Sequence, residues 1–441
     1  MNTSRFEHSL GCLSVVSRMV SNLSRSVDWV EYKKALGLSP DEIMQVARLY
    51  GLLHDVGHLP LSHLFETAFS DFVRQTQRGK KVSEVCAEWF GFAGYAKPHE
   101  TLGAAVSEQI LDDIEVPGDT KKAVLRLLQH KTVSGNDEMS PLKQLVDSEI
   151  DADRIDSTAR DGKLGGGEYG TYDIDRLCSA VFVLHRDSGW RIGYSNKAIS
   201  SLEALLLDRC RTHANIHYHH RVVAIKIAMR EAISHMLGNG TIDRASFAMD
   251  DLPLRDDVWL WNRIREDQSL DASLKNALLY RDKRCIVPLW KSRATFQKMT
   301  QRLANAANMR KGEKLESDWF LREYEAYISK RLSRKTRVMM LNFKPVDSSA
   351  IWLTDENGCE DAGELFDYSS MSTKLNAIWS GEPSFHVILL DTTPANRVDA
   401  IRDKWIKDTA KWITTPELRT DSRTTPHRKP KVAPVTRKAR G

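Results

Sequence analysis

The sequence predicts a mainly α protein: a helical core with one short β-hairpin, a small C-terminal α/β lobe and a disordered basic tail. Three observations support this. Apolar residues recur at helical spacing through most of the chain before Lys335, as in Phe6, Leu10, Leu13, Val16, Val20 and Leu23. Strand-like runs are confined to Ala180–Leu184 with Trp190–Tyr194 and to the segment after Lys335. From Arg419 to Gly441, eight Lys or Arg stand against one Asp among Thr and Pro, a composition that buries no core. At 441 residues the chain exceeds one ordinary core. The expected units are residues 1–240 as the helical core, 241–335 as a helical extension, 336–415 as the α/β lobe and 416–441 as the tail.

The elements follow in order. A helix opens at Arg5 with His8 on its apolar side. A second helix, Pro40 to His54, buries Ile43, Val46, Ala47, Tyr50 and Leu53. Gly57 can take the left-handed turn that ends a helix, and Pro60 forbids continuation. The next helix is expected over Pro60–Gln77, followed by a polar break at Arg78–Lys81. Another starts at Lys97–Thr101 with His99 near its N-terminus, and residues 120–130 and 140–160 continue the helical pattern. Gly165–Gly170 is a loop that lacks the strand and helix contexts of a dinucleotide or P-loop site. A long helix is expected from Ile199 to Leu237, carrying Arg209, Arg211, His213, His217, Tyr218, His219 and His220. His213 and His217 stand four apart without a glutamate of the HExxH type, which assigns them to a polar pocket or the surface. Residues 254–334 read as helical, with Trp259, Trp261, Leu278, Leu279, Trp290, Trp319 and Phe320 as core anchors. Strands are expected over Arg337–Phe343, Ala350–Thr354 and Phe385–Asp391, and helices over Glu364–Trp379 and Ala395–Trp412.

Composition narrows the function classes. Hydrophobic residues at 41% and charged residues at 28% describe a globular protein. Apolar runs such as Val387–Leu390 are too short to span a bilayer, so no membrane partner is expected. The first residues carry no export signal, which predicts a cytoplasmic protein. Six cysteines without a CxxC pair argue for a reducing compartment and against a zinc–thiolate site. The net charge of +5 is concentrated in residues 419–441, which carry +7 and leave the body near −2. The tail, not the body, is therefore the candidate for binding single-stranded nucleic acid.

The chemistry centres on His54 and Asp55. They close an apolar helix, and His58 and His63 follow within nine residues. So many titratable groups at a buried helix end are costly unless they hold an ion or one another. An imidazole and a carboxylate side by side can share one divalent metal. Asp147–Asp161 places five Asp and one Glu in fifteen residues against two Arg. Ile150, Ala152, Ile155 and Ala159 interleave with them, so part of the run faces inward, where carboxylates need a cation.

Three segments together resemble the HD-domain phosphohydrolases: Arg5-Phe-Glu-His8, His54-Asp55 with Gly-His58 and Ser-His63, and Asp151-Ala-Asp153-Arg154-Ile-Asp156 closing at Ala-Arg160-Asp161. The closest likeness is to the deoxynucleoside-triphosphate triphosphohydrolase branch, which includes the dGTPase-like enzymes and the dNTPase with sterile-alpha and HD domains. Tyr169-Gly170, Tyr218-x-His220-Arg221 and Asp256-Asp257-Val258 add weaker matches, and the likeness runs from residue 5 to about residue 410. It implies that residues 1–240 are an HD phosphohydrolase core. It places the metal ligands at His8, His54, Asp55 and Asp153, a nitrogen and oxygen set suited to Mg, Mn, Fe or Zn. It places catalytic polar groups at His58, His63, Glu66 and His99, with Glu66 where the family usually has Asp. Arg5 and Arg154, with Arg209 or Arg211, would bind phosphate, and Asp161 and Tyr218 the sugar.

The implied reaction is hydrolysis of a dNTP to deoxynucleoside and tripolyphosphate. Hydroxide would attack the α-phosphorus, and His63 or His99, held by Glu66, would protonate the leaving 5′-oxygen. The family also implies a homo-oligomer. Two departures bear on specificity. The family usually has some tens of residues before the first motif that contribute to base and effector binding, and it carries Tyr where Ser157 stands. Competing readings are an HD-type phosphodiesterase or nuclease acting on single-stranded DNA or oligonucleotides, and a non-catalytic nucleotide sensor.

Overall fold

The computed structural model describes residues 4–77, 79–90, 98–129, 137–186, 189–309, 322–340, 351–355, 358, 361–370, 374–375, 385–390 and 395–415. The helices of the first half are α1 (Arg5–Leu23), α2 (Trp29–Leu36), α3 (Pro40–Leu53), α4 (His63–Thr76), α5 (Val82–Phe90), α6 (Pro98–Asp113), α7 (Gly118–Gln129), α8 (Ser140–Gln144), α9 (Ala152–Leu164) and α10 (Ile174–Ser179). The hairpin β1 (Val181–Arg186) and β2 (Gly189–Ser195) leads into α11 (Ile199–Thr212) and α12 (His220–Gly238). Next come α13 (Asp257–Glu266), α14 (Ala272–Leu279), β3 (Val287–Pro288), α15 (Arg293–Ala306), α16 (Arg322–Leu332) and β4 (Thr336–Met340). The chain closes with β5 (Trp352–Thr354), β6 (Asp361–Glu364), α17 (Leu365–Tyr368), β7 (Phe385–Leu389) and α18 (Val398–Thr414).

Local chemistry fixes the first core. Ser4 and Glu7 form a capping box that starts α1, and Ser39 and Glu42 do the same for α3, where Pro40 occupies the first turn. Val16, Met19, Val20 and Leu23 of α1 pack with Ile43, Val46, Ala47, Tyr50 and Leu53 of α3. Asp151 caps α9 by accepting from Arg154 N at 2.7 Å, and α9 lies along α1. A Cβ on Gly11 would sit 1.8 Å from Asp156 Oδ1, so these two helices approach where only glycine fits.

A second core joins Leu59, Phe65, Phe69 and Phe72 to Val223, Ile227 and Ile233 of α12 and to residues of α13 and α14. A third runs from Val287 to Trp412, with Trp290, Tyr324, Phe385 and Trp405 at its centre. The expected boundary at residue 335 falls inside this third core, because β3 pairs with β7, which pairs with β4. Nor do the strands after Lys335 stay together. β5 runs parallel to β2 and extends the hairpin into a four-stranded sheet of order β1-β2-β5-β6.

Other expectations shift in detail. The long helix 199–237 is broken by a π-helical turn at His213–His217, after which His219 leaves helical geometry and accepts from Arg221 N. The helix expected from Pro60 begins at His63, because Leu61 and Ser62 hold positive φ. Residues 140–160 form two helices separated before Asp151, and residues 254–334 are interrupted by β3. Over 364–379 the described residues are helical at α17 and at 374–375, Asp361–Glu364 before them is strand, and 371–373 and 376–379 lie outside the described residues. Trp319, Phe320, residues 341–350 and the tail from 416 lie outside the described residues. The described cysteines are free and buried. Among the described residues no helix is long and apolar enough to cross a membrane.

Trp290 is 1% exposed at the middle of the third core. Trp290→Ala is expected to cost about 3–5 kcal/mol in stability, read from the urea midpoint.

Candidate metal centre

Three helix ends meet at one point. His8 lies one turn into α1, His54 and Asp55 follow the last turn of α3, and Asp153 is in the first turn of α9. His8 Nε2 lies 3.1 Å from Asp153 Oδ1 and 3.9 Å from Asp55 Oδ2. Its Nδ1 lies 2.7 Å from Asp156 Oδ2, and Arg160 grips the same carboxylate through two nitrogens at 2.8 and 2.9 Å. His54 Nδ1 donates to Gly51 O at 2.8 Å, which leaves Nε2 as a lone pair. That Nε2 is buried, has no hydrogen-bond partner, and lies 3.6 Å from Asp55 Oδ1. An orphaned buried lone pair facing carboxylates is a group that a divalent cation would satisfy. Each imidazole has its other nitrogen fixed by an oxygen, as metal-ligating histidines do. The residues therefore fit a divalent cation.

Electrostatics agrees. Burial opposes a charge on His8, but the bonds to Asp153 and Asp156 outweigh it and push the imidazolium pKa up to about 12. Burial also opposes charge on Asp55, yet His58, His54 and Arg5 hold its carboxyl well below the usual range. The pocket demands positive charge, from a proton or from a metal. Cys12 is close too, with Sγ 3.6 Å from His8 Nε2 and 3.8 Å from Nδ1. Near-equal distances to both nitrogens place the sulfur beside the ring, not in line with the Nε2 lone pair. Burial pushes this thiol up to about 12, so it packs as a thiol.

A second cluster adjoins the first. Glu66, buried in the first turn of α4, lies 3.0 Å from His63 Nδ1 and 3.8 Å from His58 Nδ1, and it bonds His99 Nδ1. Burial would raise the Glu66 pKa, but His63 and His99 hold it well below the usual carboxylate range. The ring of His58 stacks on His99 with centroids 4.3 Å apart. His58 Nε2 lies 3.2 Å from Asp55 Oδ1, which links the two clusters. Burial lowers the His58 pKa. Gly57 is needed for a reason other than the one expected. Its φ is not positive, but a Cβ there would lie 2.2 Å from Gly103 N and 2.3 Å from His99 O. The glycine lets α6 deliver His99 against the His58 turn.

The remaining predicted residues divide. Arg5 bonds both Asp55 and Ser62 Oγ, so it borders the quartet directly. Arg154 turns toward Glu149 and Asp151 at 3.6 and 3.7 Å, and Arg209 reaches Glu149 at 3.1 Å. Arg211 pairs with Asp208 at 3.3 Å. Asp161 meets His217 Nε2 at 3.0 Å, and Tyr218 sits edge-on to His213 with centroids 5.7 Å apart. Sequence reasoning gave no role to Asp156, although the spacing 153, 156, 160 puts it on the α1 side of α9 with Asp153 and Arg160. A cavity of about 850 Å³ lies elsewhere, between α4, α12, α14 and β4, and none of the quartet lines it.

Two imidazoles and two carboxylates gathered at one junction of helix ends form a ligand set suited to a divalent metal. Residues 5–161 match the HD domain, and the chain carries that domain. An uncharacterized protein of Methanocaldococcus jannaschii is 24% identical over 255 residues, 57% of this chain and 44% of that protein. The deoxynucleoside triphosphate triphosphohydrolase SAMHD1 of Bos taurus is 28% identical over 282 residues, 58% of this chain and 45% of that protein. The chain thus spans less than half the length of these relatives. Among solved structures, a hypothetical protein from Aquifex aeolicus shares the fold with TM-score 0.60, 16% identity and coverage of 91% and 86% of the two chains. A phosphohydrolase from Bacteroides thetaiotaomicron does so with TM-score 0.56, 18% identity and 88% coverage of both.

Two outcomes test the centre. Asp156→Asn removes the charged partner of His8 and is expected to weaken metal binding about 10- to 100-fold, measured by titration with Mn or Zn. Binding at His8 must release the proton that Asp153 and Asp156 hold there. Affinity should therefore rise about tenfold per pH unit from pH 6 to 8, with proton uptake or release read by calorimetry in buffers of different ionisation enthalpy.

Proposed function

We propose that the protein hydrolyses deoxynucleoside triphosphates to deoxynucleoside and tripolyphosphate. The observation that carries this reading is the adjacency of the quartet to the Glu66 network, bridged by Asp55 and His58 and bordered by Arg5. The similarity to a relative named as a dNTP triphosphohydrolase supports the choice of substrate.

The quartet His8, His54, Asp55 and Asp153 would hold the cation. When bound, a divalent ion supplies Lewis-acid charge at the attacked phosphoryl group and acidifies a water. The chain's own groups do the rest. Arg5, half-exposed beside Asp55, is placed to neutralise phosphate charge as it develops. His63 is 70% exposed on its side chain, whereas His58 and His99 are sheltered. His63 thus faces the solvent side, where a leaving group would depart. Glu66 fixes its Nδ1, so Nε2 is the nitrogen that can hand a proton to the leaving 5′-oxygen. His99 binds the other oxygen of the same carboxylate and holds it in place. Asp161, on α9, and Tyr218, just after the π turn at His213–His217, would contact the sugar.

The test is product analysis with each dNTP and a ribonucleotide control, in Mn or Mg. Nucleoside with tripolyphosphate is the expected result. Pyrophosphate with monophosphate would move the attacked phosphorus, and cleavage of single-stranded DNA alone would favour the phosphodiesterase reading. Glu66→Gln is expected to lower kcat about 10²- to 10⁴-fold while leaving bound metal unchanged. Asp153→Ala should lose metal and activity together.

A further inference from the structure

Among the described residues, the turn between His58 and His63 holds two successive non-glycine residues at positive φ: Leu61 at 57° and Ser62 at 60°. Every other such residue (Glu115, Arg281, Asn308, Ser333) stands alone. Ser62 also has ψ of −133°, a combination that side chains rarely adopt. Strain of this kind persists only where surrounding bonds over-determine it. Two bonds from outside the turn are present. Arg5 holds Ser62 Oγ, so the hydroxyl does not cap α4. Leu61 N donates to Asp257 Oδ1 at 2.8 Å, across 196 residues of sequence.

Asp257 opens α13, where a carboxylate suits the helix dipole, but it does not supply the cap. The N-terminus of α13 is capped by its neighbour, Asp256, which accepts from Trp259 N at 2.8 Å. The second carboxylate of the pair reaches out of its own helix to the strained turn.

We propose that Asp257 is a positioning residue for the His58–His63 turn, holding Leu61 and Ser62 in the conformation that presents His63 to Glu66. This rests on the reading of the Glu66 network as the proton-handling part of the site. If Leu61 and Ser62 relaxed to negative φ, the first residue of α4 would unwind. His63 would then leave Glu66, and Ser62 would leave Arg5. Glu66 and His99, buried one turn deeper, would keep each other. The helical segment around α13 thus acts on the chemistry through one backbone N–H.

The experiment compares Asp257→Ala, Asp257→Asn and the double variant Asp257→Ala/Leu61→Gly in the full chain. Hydrogen exchange of the peptide spanning residues 59–66 is read first, because it needs no substrate. In Asp257→Ala this peptide should exchange about tenfold faster or more, while the core peptides of α1 and α3 keep their rates. With dNTP as substrate, kcat should fall about 10- to 100-fold, with KM and bound metal unchanged. The limb of the pH profile that reports the acid should shift. Asp257→Asn should recover most of kcat, because its carboxamide oxygen accepts the same bond. Leu61→Gly should recover part of the loss, because glycine takes φ of 57° without strain. Unchanged exchange in Asp257→Ala overturns the proposal, as does Asp257→Asn behaving like alanine or a uniform rise in exchange over the whole chain. Absence of hydrolysis in the wild type would instead overturn the proposed reaction, with the exchange result still reporting whether the turn is held.

Discussion

Three helices end together because none can bury its charged end alone. His8 is half-sheltered at the start of α1, His54 and Asp55 lie at the end of α3, and Asp153 and Asp156 occupy the first turns of α9. Taken singly, each would lose hydration without compensation. Taken together, they form a pocket in which carboxylates outnumber fixed cations and one imidazole nitrogen has no partner. The close fit of Gly11 against Asp156 and of Gly51 against Val16 shows how the backbone is arranged to bring them there. Helix packing and ion affinity are therefore one constraint: α1 and α9 can approach only if Asp156 has both Arg160 and His8 to satisfy it.

How much of this was legible in the sequence follows from what periodicity and spacing can report. His54-Asp55 stands at the end of an apolar helix, and the acidic run 147–161 carries inward-facing residues, so both ends of the site declared themselves. The partner of His8 did not. Asp156 is one acid among six in that run, and only the packing of α1 on α9 selects it. Gly57 was recognised as special, but its reason is a close approach to Gly103, a contact invisible without the fold. The expected unbroken helix 199–237 failed because apolar spacing continues through the π turn at His213–His217, where His217 pairs with Asp161. Sheet partners failed for a similar reason. A three-residue strand such as β5 has no local mark that it will join a hairpin some 160 residues earlier.

The two clusters belong to different cores. The quartet sits at the edge of the core made by α1, α3, α9 and α11, whereas Leu59 and Phe65 begin the core made with α12, α13 and α14. The short segment from His54 to His63 is the seam between them. Three contacts between the candidate metal ligands and the Glu66 network have an end on it: Asp55 to His58, Arg5 to Ser62, and Glu66 to His63. A seam so short leaves no room for a relaxed turn, which is a physical reason for Leu61 and Ser62 to hold positive φ.

That placement has a consequence for how the rest of the chain can matter. The first core alone could assemble the cation site, because all four candidate ligands lie on its helices or directly after one of them. It could not position Glu66, His63 or His99, which depend on α4 and α6 and on the second core behind them. Residues after Gly238 add to that second core through Leu260, Ile264, Leu274 and Leu278. They also supply Asp257 to the seam. In the proposed reaction, metal affinity and proton delivery are thus separable, resting on different helices and joined through ten residues of backbone. Changes in the helical extension should reach the second without touching the first, whereas changes at the α1–α9 contact should reach both.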